Sequence, residues 1–467
     1  MNLFKKGIYW NLLRTLIERG FVFFQQILLA WFLLPEDFGF FSSISSLLAI
    51  CSLFAVIGIS ETLTNRYKSV SIWEPVFNSI NYLLIGFSFL LYFIIALILY
   101  GNDINEIILI FVYGISIPFL GLKSIDSVKL SVLGNYKHIN LSRIAYTTSL
   151  ALGSLILAYL GYGVLSIIIP ATISSFLEFL FLRIKAKSSF SFSKNIYAIK
   201  IFFSKSSQLI GYNVSWRIIN FLDFILIGIL LDDKKAGLYF MAFNLSVQPL
   251  NLFISYLPSV LFSSNIRDKM NQSETILRIQ KTTLMLTFIC TPLFIGLYFF
   301  SNDIVTFLFN ENWSNTIPIL KILSLAMIPR VLSSQWYLIP LVNSNYNYMS
   351  RISLIFLAVF VILFTSGTLF FDMKGAAISI LLFYVMTISL SSNYLLFDNL
   401  YLKENIFLLF HGTLSFGVSY LLYSFNKTFL LLTLSVVISI ALYFILIYYT
   451  CPKTNQIINQ NLKFKKS

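Results

Sequence analysis

Charge is scarce in this chain. Asp, Glu, Lys and Arg make up 11% of its 467 residues, where a soluble domain carries about a quarter. With 58% hydrophobic residues and a mean hydropathy of +0.82, an ordinary soluble domain is excluded. Cysteine is nearly absent. Cys51 and Cys290 lie in apolar runs and Cys451 just beyond one, a spacing that suits neither a disulfide framework nor a metal site. The two histidines, His138 and His411, are too far apart in the chain to suggest zinc. No P-loop occurs, so nothing binds or hydrolyses nucleotide by that route, and no cofactor is expected. A signal-peptide cleavage pattern is also missing. MNLFKKGIYW has a basic flank, but no small-residue site follows and the next span carries charges. The expectation is a retained first helix.

What the chain does have is long apolar runs. A bilayer core takes ~20 mostly apolar residues per helix. By that rule fourteen spans are expected, at 9–34, 39–61, 77–100, 105–122, 141–160, 164–183, 206–231, 236–262, 280–300, 315–340, 351–371, 374–397, 405–424 and 428–450. The net charge of +14 fits loops rather than nucleic acid. Lys and Arg crowd the connections assigned to the cytoplasm, while the outer ones hold only Lys234, Lys235, Lys374 and Lys427. That bias places both termini in the cytoplasm. The connections 62–76, 123–140, 184–205 and 263–279 mix Lys with apolar residues. They read either as amphipathic stretches on the inner leaflet or as solvated loops.

The sequence repeats. Shifted by 198 positions, RGFVFFQQILLAWFLLPEDFGFF (19–41) lies on RIINFLDFILIGILLDDKKAGLY (217–239) without a gap. Arg19 falls on Arg217, Gln25 on Asp223, Ala30 on Gly228 and Gly39 on Gly237. The repeat starts at the first and seventh spans, so both halves share one orientation, as in transporters built of parallel repeats. The expected fold is therefore an all-α polytopic membrane protein: a six-helix bundle in 1–200, a second in 201–400, and two extra helices with a basic tail in 401–467.

Charges inside a bilayer need partners or a polar cavity, because each costs at least ~2.5–3.5 kcal/mol at mid-membrane. In the first span Asn11, Arg14, Glu18 and Gln25 share one stripe, with Arg14 and Glu18 at pairing distance. Arg19 lies about 100° round the helix, where it finds no local partner. Asn213, Arg217 and Asn220, with Asp223 nearby, form a similar stripe in the seventh span. Two such stripes are expected to face a central cavity whose guanidiniums suit an anion, phosphate above all. The alternative is buried glue between helices, the expectation preferred for His411, Lys321 and Arg330. Pro35, Glu36 and Asp37 suit the first turn of a helix better than a metal site.

The run LLAWFLLPEDFGFFSSISSLLAICSLFAVIGISETLTNRY (28–67) resembles the opening of polysaccharide flippases, which carry an LxRxLxPxDFGxF pattern there. FLDFILIGILLDDKKAGLYFMAFNLSVQPLNLF (221–253) is similar to the start of their second half. The chain is identified on these segments as resembling the Wzx-type O-antigen and exopolysaccharide flippases of the MOP superfamily. It departs from the pattern at Trp31, where the family often has Arg. The resemblance implies two six-helix bundles, often with two added helices. It also implies alternating-access transfer of a polyprenyl-diphosphate-linked oligosaccharide across the bacterial cytoplasmic membrane, for O-antigen, capsule or exopolysaccharide. Arg14, Arg19, Arg217, Asn213, Asn220 and Gln25 become the expected contacts of the anionic head group. Glu18, Glu61, Glu178 and Asp223 become candidates for coupling to H⁺ or Na⁺. Polysaccharide polymerase and chain-length machinery are the implied protein partners. The competing readings are a membrane-embedded polymerase or glycosyltransferase, disfavoured by the short outer loops, and a small-molecule exporter of the same superfamily.

Overall fold

The computed structural model describes residues 3–56, 70–101, 103–193, 196–254, 272–334, 340, 345–395, 399–424 and 429–456. Among these, every long element is helical. Eleven helical segments are long and apolar enough to cross a membrane. One of them, Tyr346–Ile388, is two spans, because the helix Tyr346–Leu395 breaks at Phe371 and Asp372. Counting it as two, and adding the equally long helices Leu3–Phe32 and Asp233–Ile254, gives the fourteen expected from the sequence.

The chain divides into two compact units. One comprises Met1–Phe240 with Tyr346–Ala358, and the other Met241–Asn345 with Val359–Ser467. In the first unit α1 (Leu3–Phe32), α2 (Pro35–Val56), α3 (Val70–Tyr100), α4 (Ile104–Gly114), α5 (Ser116–Val132), α6 (Tyr136–Tyr159), α7 (Leu165–Ala186) and α8 (Ile196–Leu230) precede the start of α9 (Asp233–Ile254). Here α1 packs on α6, α6 on α7, α7 on α5, and α2 on both α3 and α8. The second unit contains α10 (Gln272–Phe299), α11 (Ser301–Leu308), α12 (Thr316–Ser333), the later part of α13 (Tyr346–Leu395), α14 (Asn399–Ser424) and α15 (Phe429–Thr450). In it α10 packs on α12 and α14, and α14 on α15.

Large apolar side chains lie on the outside of the helices as well as in the core, and small polar ones are buried. Leu83, Ile94, Ile98, Leu152 and Ile156 of the first unit are exposed, while Ser42, Ser43, Ser46, Ser88, Ser154 and Ser174 are buried. Lipid is as apolar as leucine, so the helices gain by close packing, which small residues at the contacts allow. Several buried hydroxyls return their protons to carbonyls of their own helix, as Ser42 does to Gly39 (2.8 Å) and Ser175 to Ala171 (2.8 Å), while Ser43 donates across to the Phe224 carbonyl of α8 at 3.2 Å.

The expected repeat has a physical counterpart. At the start of α2, Asp37 Oδ2 accepts the Leu34 N–H at 3.0 Å. At the start of α9, Asp232 Oδ1 accepts the Lys235 N–H at 2.7 Å. Leu34 and Asp232 are 198 apart, and so are Asp37 and Lys235. The two halves therefore stop the same helix end from opposite sides of one capping arrangement. Glu36 and Lys234, also repeat equivalents, approach each other at 3.7 Å.

One expectation needs correction. Residues 123–140 are mostly helical, with only a short, largely exposed turn at 133–135. Helix α5 runs on to Val132, a tight turn passes Gly134 at φ +73°, and α6 starts at Tyr136. Positive φ costs glycine nothing. Of 184–205, α7 takes the residues to Ala186 and α8 those from Ile196. Much of the polar character of 123–129 comes from Lys123, Asp126 and Lys129, which meet charges on neighbouring helices.

Candidate functional site

Helix α5 carries Lys123, Asp126 and Lys129, spaced by three and therefore on one face. Each meets an opposite charge on another helix. Lys123 Nζ donates to Glu178 Oε2 of α7. Arg183 Nη1, also on α7, donates to Asp126 Oδ1 at 3.1 Å. Lys129 Nζ donates to Glu74 Oε2 of α3 at 2.8 Å. Asp126 and Arg183 are both buried. The segment after α7 closes this end: Arg183 Nη2 and Asn78 Nδ2 both donate to the Ser189 carbonyl, at 3.0 and 3.1 Å.

The Lys123–Glu178 pair belongs to a larger cluster. Arg143 of α6 stands between two carboxylates. Its Nε donates to Glu18 Oε1 of α1 at 3.1 Å, and its Nη1 lies 3.5 Å from Glu178 Oε2. Its guanidinium sits 4.7 Å from the centroid of the Tyr146 ring, which also has Lys123 at 5.4 Å. The other Glu18 oxygen is 3.7 Å from Arg14 Nε. Four helices are thus joined through two carboxylates and three cations.

Arg19 adjoins this cluster without joining it. Glu18, Arg14 and Arg143 are the charges that act on it. Among the described residues no carboxylate lies within 4 Å of Arg19, nor of its repeat equivalent Arg217. Arg14, Lys123, Lys129, Arg143 and Arg183 of the same unit each have one. Both Arg19 and Arg217 are half-buried. Arg217 rests over Phe221, 5.6 Å from the ring centroid.

The remaining expected residues fall in varied settings. Gln25 is buried and donates to Ser154 Oγ at 2.7 Å, so its amide ties α1 to α6. Asp223 is buried and accepts the Tyr239 hydroxyl at 3.1 Å. Asn220 donates to the Trp216 carbonyl of its own helix at 2.7 Å, and Asn213 is half-buried one turn before Arg217. Glu61 lies outside the described residues. In the second unit Arg330 lies over Phe243 and Tyr384, at 5.7 and 5.2 Å. His411 Nε2 is 2.8 Å from Thr450 Oγ1, and its ring stacks on Phe407. Both are packing environments.

Arg143 and Tyr146 were absent from the sequence expectations. An arginine near the start of a span reads as an end residue that snorkels to the interface. Its partners lie 125 and 35 positions away, beyond any helical spacing.

A family model described as "Polysaccharide biosynthesis protein" matches residues 28–318. The chain belongs to this family. The teichuronic acid biosynthesis protein TuaB of Bacillus subtilis (strain 168) is 30% identical over 146 residues, which are 30% of this chain and 29% of TuaB. The match thus spans under a third of that relative's length. Among solved structures, "Lipid II flippase MurJ, inward closed conformation" superposes with a TM-score of 0.79 at 19% identity, over 95% of this chain and 99% of MurJ. A multidrug resistance MATE family transporter of the MOP superfamily, in an inward-facing conformation, follows the fold with a TM-score of 0.55 at 13% identity, over 82% of this chain and 97% of its own. The expected resemblance thus holds at the level of a polysaccharide biosynthesis family, and the fold is the one shared with MurJ and the MATE transporter. This polysaccharide biosynthesis protein is a multi-pass membrane protein.

Proposed function

We propose that this polysaccharide biosynthesis protein moves a polyprenyl-diphosphate-linked oligosaccharide from the inner to the outer leaflet of the bacterial cytoplasmic membrane by alternating access. The observation that carries the reading is the contrast among arginines. Arg19 and Arg217 recur at the repeat shift and have no carboxylate in reach among the described residues. An unneutralised guanidinium within a span is costly unless something anionic visits it, and its fork matches a phosphate with two parallel hydrogen bonds. Arg14, Gln25, Asn213 and Asn220 flank these two along α1 and α8 and complete the proposed head-group path. Glu18, Glu61, Glu178 and Asp223 are the proposed coupling groups for H⁺ or Na⁺. The chain is read as two six-helix repeats, 1–200 and 201–400, with 401–467 added and both termini in the cytoplasm. The names of TuaB, a teichuronic acid biosynthesis protein, and of MurJ, a lipid II flippase of the same fold, support the reading.

The test is complementation of a deletion strain with wild type, Arg19→Ala and Arg217→Ala. Lipid-linked repeat units are expected to accumulate on the cytoplasmic side and to be cleared by wild type but by neither variant, at equal protein levels. Units that reach the outer face and stay unpolymerised would overturn transport in favour of a polymerase. Full export by both variants would overturn the anion site.

A further inference from the structure

Arg143 is the one described cation that touches two carboxylates on two other helices, Glu18 at 3.1 Å and Glu178 at 3.5 Å. Glu178 has a second cation in Lys123. Glu18 has, besides Arg143, only Arg14 at the longer distance of 3.7 Å among the described residues. Glu18 also precedes Arg19 in the chain and is a charge that acts on it. Three cations, Arg14, Lys123 and Arg143, thus share two carboxylates, and Arg19 stands beside them with neither.

From this we infer that Arg143 is a positioning residue for the anion site: it holds the Glu18 carboxylate toward α6 and so keeps the positive field of Arg19 available to a diphosphate. The inference rests on the head-group reading of Arg19. Its physical content is simple. Glu18 is within 4 Å of Arg143 and Arg14 and next to Arg19, so its negative charge neutralises whichever cation holds it best. The 3.1 Å hydrogen bond from Nε and the aromatic bed of Tyr146 favour Arg143 over Arg14 at 3.7 Å. Without Arg143, the carboxylate is left to Arg14 and Arg19, and the anion site loses one unit of positive field. Glu178 keeps Lys123, so the α5–α7 contact survives the change.

Two properties separate positioning from mere packing. The defect of Arg143→Ala should be repaired by removing the charge it controls, not by restoring volume. The repair should also appear in anion affinity at unchanged folding. Binding of a long-chain polyprenyl diphosphate without sugar is measured on the full-length protein in nanodiscs. The variants are Arg143→Ala, Arg143→Lys, Glu18→Gln, Glu18→Gln/Arg143→Ala and Arg19→Ala, each checked for monodispersity and melting temperature. Arg143→Ala is expected to weaken binding about tenfold, the scale of one unit charge on the order of 10 Å away in partly buried surroundings. Arg143→Lys, with a charge but no fork, should fall between. Glu18→Gln/Arg143→Ala should return to within about threefold of wild type, since the charge that competed is gone. A double variant as weak as Arg143→Ala overturns the inference while leaving the Arg19 site standing. Arg19→Ala binding like wild type overturns the head-group reading and the inference with it. Should Arg143→Ala fail to fold, Arg143→Lys with and without Glu18→Gln gives the same comparison, and no gain from Glu18→Gln overturns the inference.

Discussion

Gly39 of α2 and Gly237 of α9, equivalent positions of the repeat, lie against each other's helix starts. A Cβ on Gly39 would stand 1.7 Å from the Asp233 carbonyl oxygen, and one on Gly237 would stand 1.8 Å from that of Pro35. Asp233 and Pro35 are themselves 198 apart. The contact is reciprocal, a local two-fold made of backbone alone. It accounts for the glycine match that the bare sequence shows.

Alanine at either position must push two backbones apart. Gly39→Ala and Gly237→Ala should each cost more than the ~1–3 kcal/mol of ordinary overpacking, because backbone cannot rotate away. Gly20, with nothing within 4 Å of its notional Cβ, is the control. Gly20→Ala should be neutral or stabilising by up to ~1 kcal/mol from helix propensity. Fluorescence-detected gel filtration after heating measures all three. Equal melting of Gly39→Ala and Gly20→Ala would show that the crossing is slack.

The buried pair Arg183–Asp126 should behave asymmetrically. Arg183→Ala leaves Asp126 buried beside nothing that fully replaces a guanidinium, and a loss of ~3–5 kcal/mol is expected. Asp126→Asn in that background should recover much of it. A double-mutant cycle by thermal melting reads the coupling, and additive losses would count against the pair.

Asp372 stands at φ 58°, ψ −150°, in the break of α13. That region belongs to glycine, and another residue pays ~1–3 kcal/mol to occupy it. The Asp372 side chain recovers part of this by accepting the Met373 N–H at 2.7 Å. Asp372→Gly should therefore raise the melting temperature, and Asp372→Val should lower it. The reverse order would indicate that the hydrogen bond outweighs the strain.

Glu404 of α14 is buried and accepts three hydrogen bonds just beyond α15, from Lys453 N (2.7 Å), Thr454 N (2.9 Å) and Thr454 Oγ1 (2.8 Å). It acts as a helix cap supplied from another helix. Glu404→Ala should cost ~0.5–2 kcal/mol and open 452–456 to protease before the rest of the chain. Glu404→Gln should retain part of the protection. Unchanged cleavage in Glu404→Ala would deny the cap.

The spans were legible because hydropathy is a property of each stretch alone. The first turn of α2 was legible too, since Pro, Glu and Asp carry their positional meaning locally. Lys123, Asp126 and Lys129 misled, because charge at every third residue lowers hydropathy whether it faces water or a partner helix. Their spacing was the available signal: three charges of alternating sign on one helical face call for a complementary face. Gln25 was legible as unusual but not as Ser154's partner, and Arg143 was not legible at all. Both depend on which helices pack together, which no local pattern states. The arginines at 19 and 217 could be singled out only because the chain supplies its own comparison.

The glycine crossing also sets a timetable for biosynthesis. The surface of α2 at Gly39 is complete only when Asp233 and Gly237 arrive. At about 5–20 residues per second, these come about 10–40 s later. Gly211, in turn, meets Ser350, so the first unit closes only after more than a hundred further residues have been made. Until Asp233 and Gly237 arrive, the ribosome and the insertion machinery must hold an open α2, with its backbone groove uncovered, in the bilayer. Nascent chains arrested before α9 should remain attached to that machinery, and those arrested soon after Ala358 should be released.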